Sequence, residues 1–258
     1  MKVKINNNKK IGKVIYVVEG DVTEEDIIVK IYNKLLNYNI IKYSKINNEY
    51  TELITKNDKY SKVYIIPSKN SSIKSLNDTK DYLDEIYHKL AIDFDLDVEN
   101  SSIYYIYDRD RESNRPGTIL NLLDKLKNSK DNDNFYINGL LLLSYPCIEA
   151  LYCNLFNDTV RLTSGKNAKN YTIEYSNQDI NQSMLESSSI LLLNKILKIN
   201  HLKEFDISCI DSFNEINKSI FNYEENEYQK YNNYDTLSLL LISLLDLGII
   251  EIENNEID

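Results

Sequence analysis

Apolar residues in the first part of the chain fall into short continuous runs, separated by segments with helical spacing. Runs rich in β-branched and aromatic residues predict buried strands at 14–18, 63–66, 103–107 and 136–143. Apolar positions three and four residues apart predict helices over about 23–37, 77–90 and 118–128. Strands that alternate with helices in this way are typical of an α/β domain with a mainly parallel sheet flanked by helices.

The pattern is less regular in the rest of the chain. Residues 40–60 alternate weakly, which predicts a hairpin or an irregular insertion. The polar segment 158–182 predicts a loop or linker. Helical periodicity returns at 187–200, 211–222 and 234–247. We therefore expect an α/β domain over residues 1–155, and a polar loop with a small helical C-terminal region over 156–258.

Composition adds a constraint on partners. The chain has 258 residues, of which 42% are hydrophobic, and a formal net charge of -10. Such a charge argues against a broad basic face for nucleic acid, so any contact with phosphates would depend on bound cations, a local basic patch or a partner. We attribute the 21 tyrosines to compositional bias rather than to a binding surface.

Cysteine usage and hydropathy indicate a cytoplasmic protein. The three cysteines show no close pairing pattern, and two histidines are too few for a zinc constellation of the usual kind. The apolar run at 14–18 is too short for a secretion signal, and the runs at 140–143 and 239–250 are too short or interrupted to cross a bilayer. We expect no membrane partner.

Two acidic motifs follow predicted strands directly. Glu19 and Gly20 come after the first strand, and the cluster DRDRE at 108–112 comes after the third. Carboxyl ends of parallel strands share one edge of a sheet, so the fold would bring Glu19 and Asp108 together. Asp108 and Asp110 alternate onto one face, and Glu112 continues the alternation. Carboxylate clusters suit Mg²⁺ or Mn²⁺, whereas DRDRE alone is equally compatible with a solvated loop paired with its own arginines.

These motifs resemble those of a known family. VVEGDVTEE at 17–25 and YIYDRDRE at 105–112 are similar to the Glu-Gly and DxD motifs of the Toprim fold, which topoisomerases, primases, OLD-type nucleases and small ribonucleases share. LLSYPCIEALY at 142–152 resembles the Ser-x-Pro-x-Phe/Ile-Glu block of RloB-like and OLD-related Toprim proteins of phage defence. The resemblance covers about residues 13–150 and implies a Toprim-like catalytic domain there.

The resemblance also implies which residues gather metal. Glu19, Asp108 and Asp110 would hold the first cation. Glu24, or with less support Glu25, would help to hold a second one. Glu149 would be a further ligand or support one, the alternative being a capped helix start after Pro146.

A basic residue near the phosphate is a further feature of OLD-type nucleases. Lys166 or Lys169 in the segment SGKNAKNY would supply it, and the other candidates for phosphate contact are Arg109, Arg111 and Arg115. Two cations together can activate a water molecule and stabilise the leaving oxygen.

The function expected from these motifs is a metal-dependent endonuclease that hydrolyses DNA or RNA, tRNA included. By the same resemblance it would be the effector of an abortive-infection system against phage, working with a separate ATPase of the AAA or ABC type, since the chain has no GxxxxGK[ST] motif. One alternative is strand transfer as in topoisomerases and primases, and another is a non-catalytic acidic interaction module. The helix at 234–247 would serve either as a homo-oligomer interface or as a core helix.

Overall fold

The structure, a computed structural model, describes residues 1–20, 22–44, 49–68, 79–109, 111, 115–132, 137–156, 160–205 and 207–253. Its helices are α1 (Thr23–Lys30), α2 (Thr79–Tyr87), α3 (Pro116–Lys125), α4 (Ala150–Leu155), α5 (Gly165–Ser176), α6 (Gln182–Asn200), α7 (Ile207–Asp211), α8 (Phe213–Tyr231) and α9 (Leu240–Asp246). Its strands are β1 (Lys2–Ile5), β2 (Lys13–Val18), β3 (Tyr38–Lys42), β4 (Thr51–Thr55), β5 (Lys62–Pro67), β6 (Ser101–Asp108), β7 (Lys127–Asn132), β8 (Ile137–Tyr145), β9 (Arg161–Leu162), β10 (Tyr234–Asp235), β11 (Leu237–Ser238) and β12 (Ile250–Glu253). Single π-helical segments, Ile31–Leu35 and His88–Asp93, continue α1 and α2.

The central sheet is mixed. Eight strands of the described residues form it in the order β11-β8-β6-β2-β5-β4-β3, with β7 paired to β8. β2 lies between β5 and β6 and runs parallel to both, so that Val18 is opposite Pro67 on one side and Ile106 on the other. The neighbours β3 and β4 are antiparallel, and so are β8 and β11. The predicted α/β class is thus confirmed, with parallel strands at the centre and antiparallel strands at the edges.

Buried strands explain the continuous apolar runs in the sequence. All five residues from Val14 to Val18 are inaccessible to solvent, as expected for a strand covered on both faces. The hydroxyl groups of Tyr16 and Tyr32 lie 2.9 Å apart, and the Tyr16 ring stacks on Tyr104 at 5.4 Å. Several of the abundant tyrosines are therefore core residues whose phenol groups find buried partners.

The weakly alternating segment 40–60 contains an antiparallel strand pair. β3 pairs with β4, placing Tyr38 opposite Thr55, and β4 continues onto β5 with Thr51 opposite Ile65. Of the two interpretations offered by the sequence, the hairpin is the one observed. β3 forms the edge of the sheet, and its Ile41 is 63% exposed.

Part of the polar segment that we predicted as a loop is a helix. α5 spans Gly165–Ser176, and the side chain of Ser164 accepts a hydrogen bond from the Asn167 backbone N–H at its start. Ala168 and Thr172 form its buried face. The prediction was wrong because only two of the twelve residues of this helix are buried, too few to give a visible apolar period.

The C-terminal helix is shorter than predicted. Residues 234–235 and 237–238 pair as strands instead, Tyr234 with Leu162 and Leu237 with Tyr145, and α9 begins only at Leu240. All six residues from Leu240 to Leu245 are buried, which identifies α9 as a core helix. Nowhere in the described part of the chain is there a helix of sufficient length and apolarity to span a membrane.

The chain divides into two compact units. One consists of Lys10–Tyr107 and Arg111–Leu141, and the other of Met1–Lys9, Asp108–Asp110 and Leu142–Asp258. In the second unit the two ends of the chain meet, because β1 pairs antiparallel with β12. The division at residue 155 that the apolar pattern indicated stays a prediction.

Candidate metal centre

Asp108 is fixed at the end of a buried strand. It is the last residue of β6, and it is partly exposed whereas the seven residues before it are buried. The backbone N–H of Ile148 donates to Asp108 Oδ1 at 2.8 Å. The next residue, Arg109, donates its own N–H to the carbonyl oxygen of Ser144 at 2.8 Å. The segment 144–148, which carries the phage-defence resemblance, is therefore bonded to the first aspartate of the DxD motif.

Glu149 occupies the N-cap position of α4, but its side chain does not act as a cap. The carboxylate makes no capping hydrogen bond to the described backbone, and the residue is only 5% exposed. Its Oε1 lies 3.7 Å from Lys169 Nζ, while Oε2 is buried without a hydrogen-bond partner among the described residues. The capped-helix interpretation of Glu149 is not supported, and one of its oxygen atoms needs a partner.

A third side chain completes a compact group. Three ligand atoms, one each from Asp108, Cys147 and Glu149, lie within 4.8 Å of one another. Burial raises the pKa of the Cys147 thiol above its usual range, and the negative charges of Asp108 and Glu149 raise it further. In the absence of a cation the group therefore combines a neutral thiol with two carboxyl groups.

Cys147 was not predicted as a site residue. Cysteine patterns in a sequence indicate disulfide or zinc pairs, and a single cysteine has no spacing pattern to find. The one available signal was its place two residues before Glu149 in the segment SYPCIE.

The residues of the Glu-Gly motif have distinct environments. Glu19 follows β2 and donates its backbone N–H to the Ile106 carbonyl oxygen at 3.3 Å. Glu24 is 6% exposed and lies over Gly20, where an added Cβ atom would be 2.5 Å from Glu24 Oε2. The Glu25 carboxylate is fully buried and accepts hydrogen bonds from the hydroxyl groups of Ser44 and Thr51. These bonds occupy the Glu25 carboxylate, and the choice of Glu24 as a ligand stays a prediction.

The remaining candidates are two acidic residues and two lysines. Asp110 and Glu112 lie outside the described residues. Lys166 is exposed on the first turn of α5. Lys169, one turn further on, reaches Glu149. Of the two lysines, the structure therefore brings Lys169 to the acidic group.

Arg109 is a structural residue rather than a phosphate contact. Its side chain is fully buried, its Nε donates to Glu225 Oε1 at 2.8 Å, and its guanidinium carbon lies 5.5 Å from the centre of the Phe221 ring. The Tyr234 hydroxyl donates to the same Glu225 oxygen at 3.1 Å. Arg115, in contrast, is exposed at the start of α3.

Comparison with known proteins gives no family assignment. No protein-family model matches the chain, and neither the curated proteins nor the solved structures include one with significant similarity to it.

Proposed function

We propose that this chain is a divalent-metal-dependent nuclease with a Toprim-like fold, which hydrolyses phosphodiester bonds in DNA or RNA. The observation that carries the proposal is the group formed by Asp108 and Glu149. Asp108 ends a strand at the parallel centre of the sheet, where α/β proteins commonly bind their ligands. Glu149 contributes a second carboxylate, with one buried oxygen that lacks a hydrogen-bond partner among the residues described.

The donor set fits a divalent cation. A buried carboxylate oxygen without a partner is destabilising, and more so when the group is ionised. Lys169 offsets part of the negative charge, but its side chain is 60% exposed and its Nζ lies 3.7 Å from Glu149 Oε1. A cation between Asp108 and Glu149 would satisfy both carboxylates at once, which supports the metal-centre interpretation.

The side chains would then have separate roles in hydrolysis. A bound divalent cation supplies positive charge for the phosphate oxygens and makes water a better nucleophile. Asp108 is oriented for binding by the Ile148 N–H, and Glu149 is held on the rigid start of α4. Lys169 is the basic side chain that we assign to the substrate phosphate, in place of Lys166, because its Nζ approaches Glu149.

Further ligands and partners enter the proposal from the sequence resemblance. Glu19, Glu24, Asp110 and Glu112 are proposed as additional metal ligands, with Mg²⁺ or Mn²⁺ as the ion and two ions in the active state. The biological setting proposed is phage defence together with a separate ATPase.

The test is cleavage of plasmid DNA, single-stranded DNA and total tRNA by the purified chain in Mg²⁺ or Mn²⁺. We expect metal-dependent cleavage that falls by at least about tenfold in Asp108→Asn and in Glu149→Gln. Glu174→Gln is the matched control, since Glu174 is an exposed carboxylate on α5 away from the acidic group. Cleavage that persists unchanged in both variants would refute the proposal, and absence of cleavage on every substrate would favour a non-catalytic interaction module.

A further inference from the structure

A sulfur atom distinguishes the Asp108–Glu149 group from an all-oxygen magnesium site. Cys147 is 1% exposed, and its Sγ is one of the three ligand atoms that lie within 4.8 Å of one another. The contact of Sγ with the Gly165 carbonyl oxygen is long, at 3.8 Å. The thiol is also hydrogen-bonded to the side chain and the backbone of Glu149, so that it lies directly beside one of the two carboxylates.

The local backbone fixes the positions of Cys147 and Glu149. Residues 147–152 form successive tight turns, in which the N–H groups of Ala150, Leu151 and Tyr152 donate to the carbonyl oxygens three residues earlier, each at 2.9 Å. Cys147 and Glu149 lie on these turns, and Asp108 is bonded to the intervening residue Ile148. The three donors thus come from one rigid piece of backbone and one strand end.

The unpartnered oxygen of Glu149 points independently to a missing ligand. This side chain is 6% exposed, and its Oε2 is buried without a hydrogen-bond partner within the described ranges. An acidic cluster alone would not indicate a metal site, because acidic residues are abundant in this chain. A buried carboxylate beside a thiol and a second carboxylate, with one oxygen unsatisfied, fits an absent cation.

We infer that Cys147 Sγ is the third protein ligand of this centre, which therefore binds thiophilic divalent ions such as Zn²⁺ and Co²⁺ more tightly than Mg²⁺. This inference rests on the proposed metal centre and specifies its ion. Thiolate ligands favour zinc and its neighbours, whereas Mg²⁺ selects oxygen ligands. Three protein ligands leave a coordination position for water or substrate, as in catalytic zinc sites. On binding, the thiol proton passes to solvent and a metal–sulfur bond replaces a metal–water bond, without any change of oxidation state.

The test is a Co²⁺ titration of the full chain, freed of metal and kept reduced, followed by absorption spectroscopy. A sulfur-to-cobalt charge-transfer band in the near ultraviolet reports the thiolate bond directly. We expect this band in the unmodified protein and its loss in Cys147→Ser, with Co²⁺ affinity lower by at least about tenfold. Competition should show Zn²⁺ displacing Co²⁺ and Mg²⁺ failing to do so.

Cys209→Ser is the matched control, because the Cys209 thiol also lies beside a backbone carbonyl, that of Glu204, at 3.9 Å, but is not part of the metal group. It should keep the band. Cys147→Ala provides a second variant, and urea unfolding of the metal-free proteins verifies that both Cys147 variants fold. A band that persists in the folded Cys147 variants, or tight Co²⁺ binding without any band, would overturn the inference.

These results are separable from the nuclease proposal. Cleavage in Mg²⁺ that depends on Asp108, without a cobalt–sulfur band, would refute the thiolate ligand and leave the nuclease standing. A Cys147-dependent band without cleavage of any substrate would establish the ligand and count against the nuclease.

Discussion

The guanidinium of Arg109 is buried against the carboxylate of Glu225, and this pair should contribute strongly to folding. Removing one member of a buried ion pair leaves the other charge without compensation, which destabilises by about 3–5 kcal/mol. We expect a loss of this size in Glu225→Met, measured by urea unfolding. Glu227→Met is the control, since its partner Arg161 is 35% exposed and such pairs contribute about 1 kcal/mol or less. Equal losses in the two variants would contradict this assignment.

Glu224, the neighbour of Glu225, should make stability depend on pH. Burial raises the pKa of Glu224 from 4.5 to about 7, the negative charge of Asp235 adds to this rise, and Lys195, whose Nζ lies 3.2 Å away, opposes it. Between these values the folded protein retains a proton that the unfolded chain has released. The stability that this group contributes is therefore complete below pH 4.5 and falls as the pH rises to about 7.

This fall should be on the order of 3 kcal/mol and should be missing in Glu224→Gln. Urea unfolding of both proteins across the interval measures the difference. Parallel pH profiles of the two proteins would show that Glu224 titrates normally in the fold.

Asp108 was predictable because it follows a strongly apolar strand, whereas Glu149 was selected only through the family resemblance. Asp108 and Glu149 were selected from two separate motifs, and the structure brings them together. Arg109 was one of three alternative phosphate contacts, and its pairing with Glu225 could not be predicted because Glu225 is 116 positions away and no local pattern connects them. Cys147 was missed because a lone thiol gains its meaning only from the carboxylates that folding places beside it.

At the scale of elements, Gly139 lets β8 approach β6. Its φ is +67°, and an added Cβ atom would lie 2.7 Å from Tyr105 Cε2 and 3.0 Å from the Ile103 carbonyl oxygen. Gly139→Ala should therefore destabilise by at least about 2 kcal/mol. Gly117→Ala on α3, where nothing lies within 4 Å, should instead stabilise by about 0.4–1 kcal/mol. Thermal unfolding of the two variants checks this, and shifts of the same sign would contradict it.

Helices and strands were easier to predict when more of their residues are buried. β2 and β6 are covered on both faces, so their apolar runs were unambiguous. α5 presents only Ala168 and Thr172 to the core, so its polar sequence was taken for a loop. The leucines near 237–245 suit strand and helix alike, and pairing of Leu237 with Tyr145 decided between them.

At the scale of the whole molecule, the net charge of -10 should make nucleic-acid binding depend on cations. In chelator we expect no binding of single-stranded DNA at physiological ionic strength, because phosphates and protein repel each other. Added Mn²⁺ should restore binding in the unmodified protein and fail to do so in Asp108→Asn/Glu149→Gln. Fluorescence anisotropy with a labelled oligonucleotide measures this, and equal binding in chelator would contradict it.

The α/β class was predictable because alternating strand and helix patterns are local. The two compact units were not, since they depend on contacts between distant segments. β1 at the beginning pairs with β12 near the end, and Asp108–Asp110 belong to the same unit as Leu142–Asp258. The local apolar pattern does not indicate these pairings between distant segments.

The most direct test of the metal centre is anomalous diffraction from crystals of the full chain grown with Mn²⁺. We expect an anomalous peak at about 2.0–2.6 Å from carboxylate oxygens of both Asp108 and Glu149, and no such peak in Glu149→Gln. A peak only at other carboxylates, or none at saturating Mn²⁺, would contradict it.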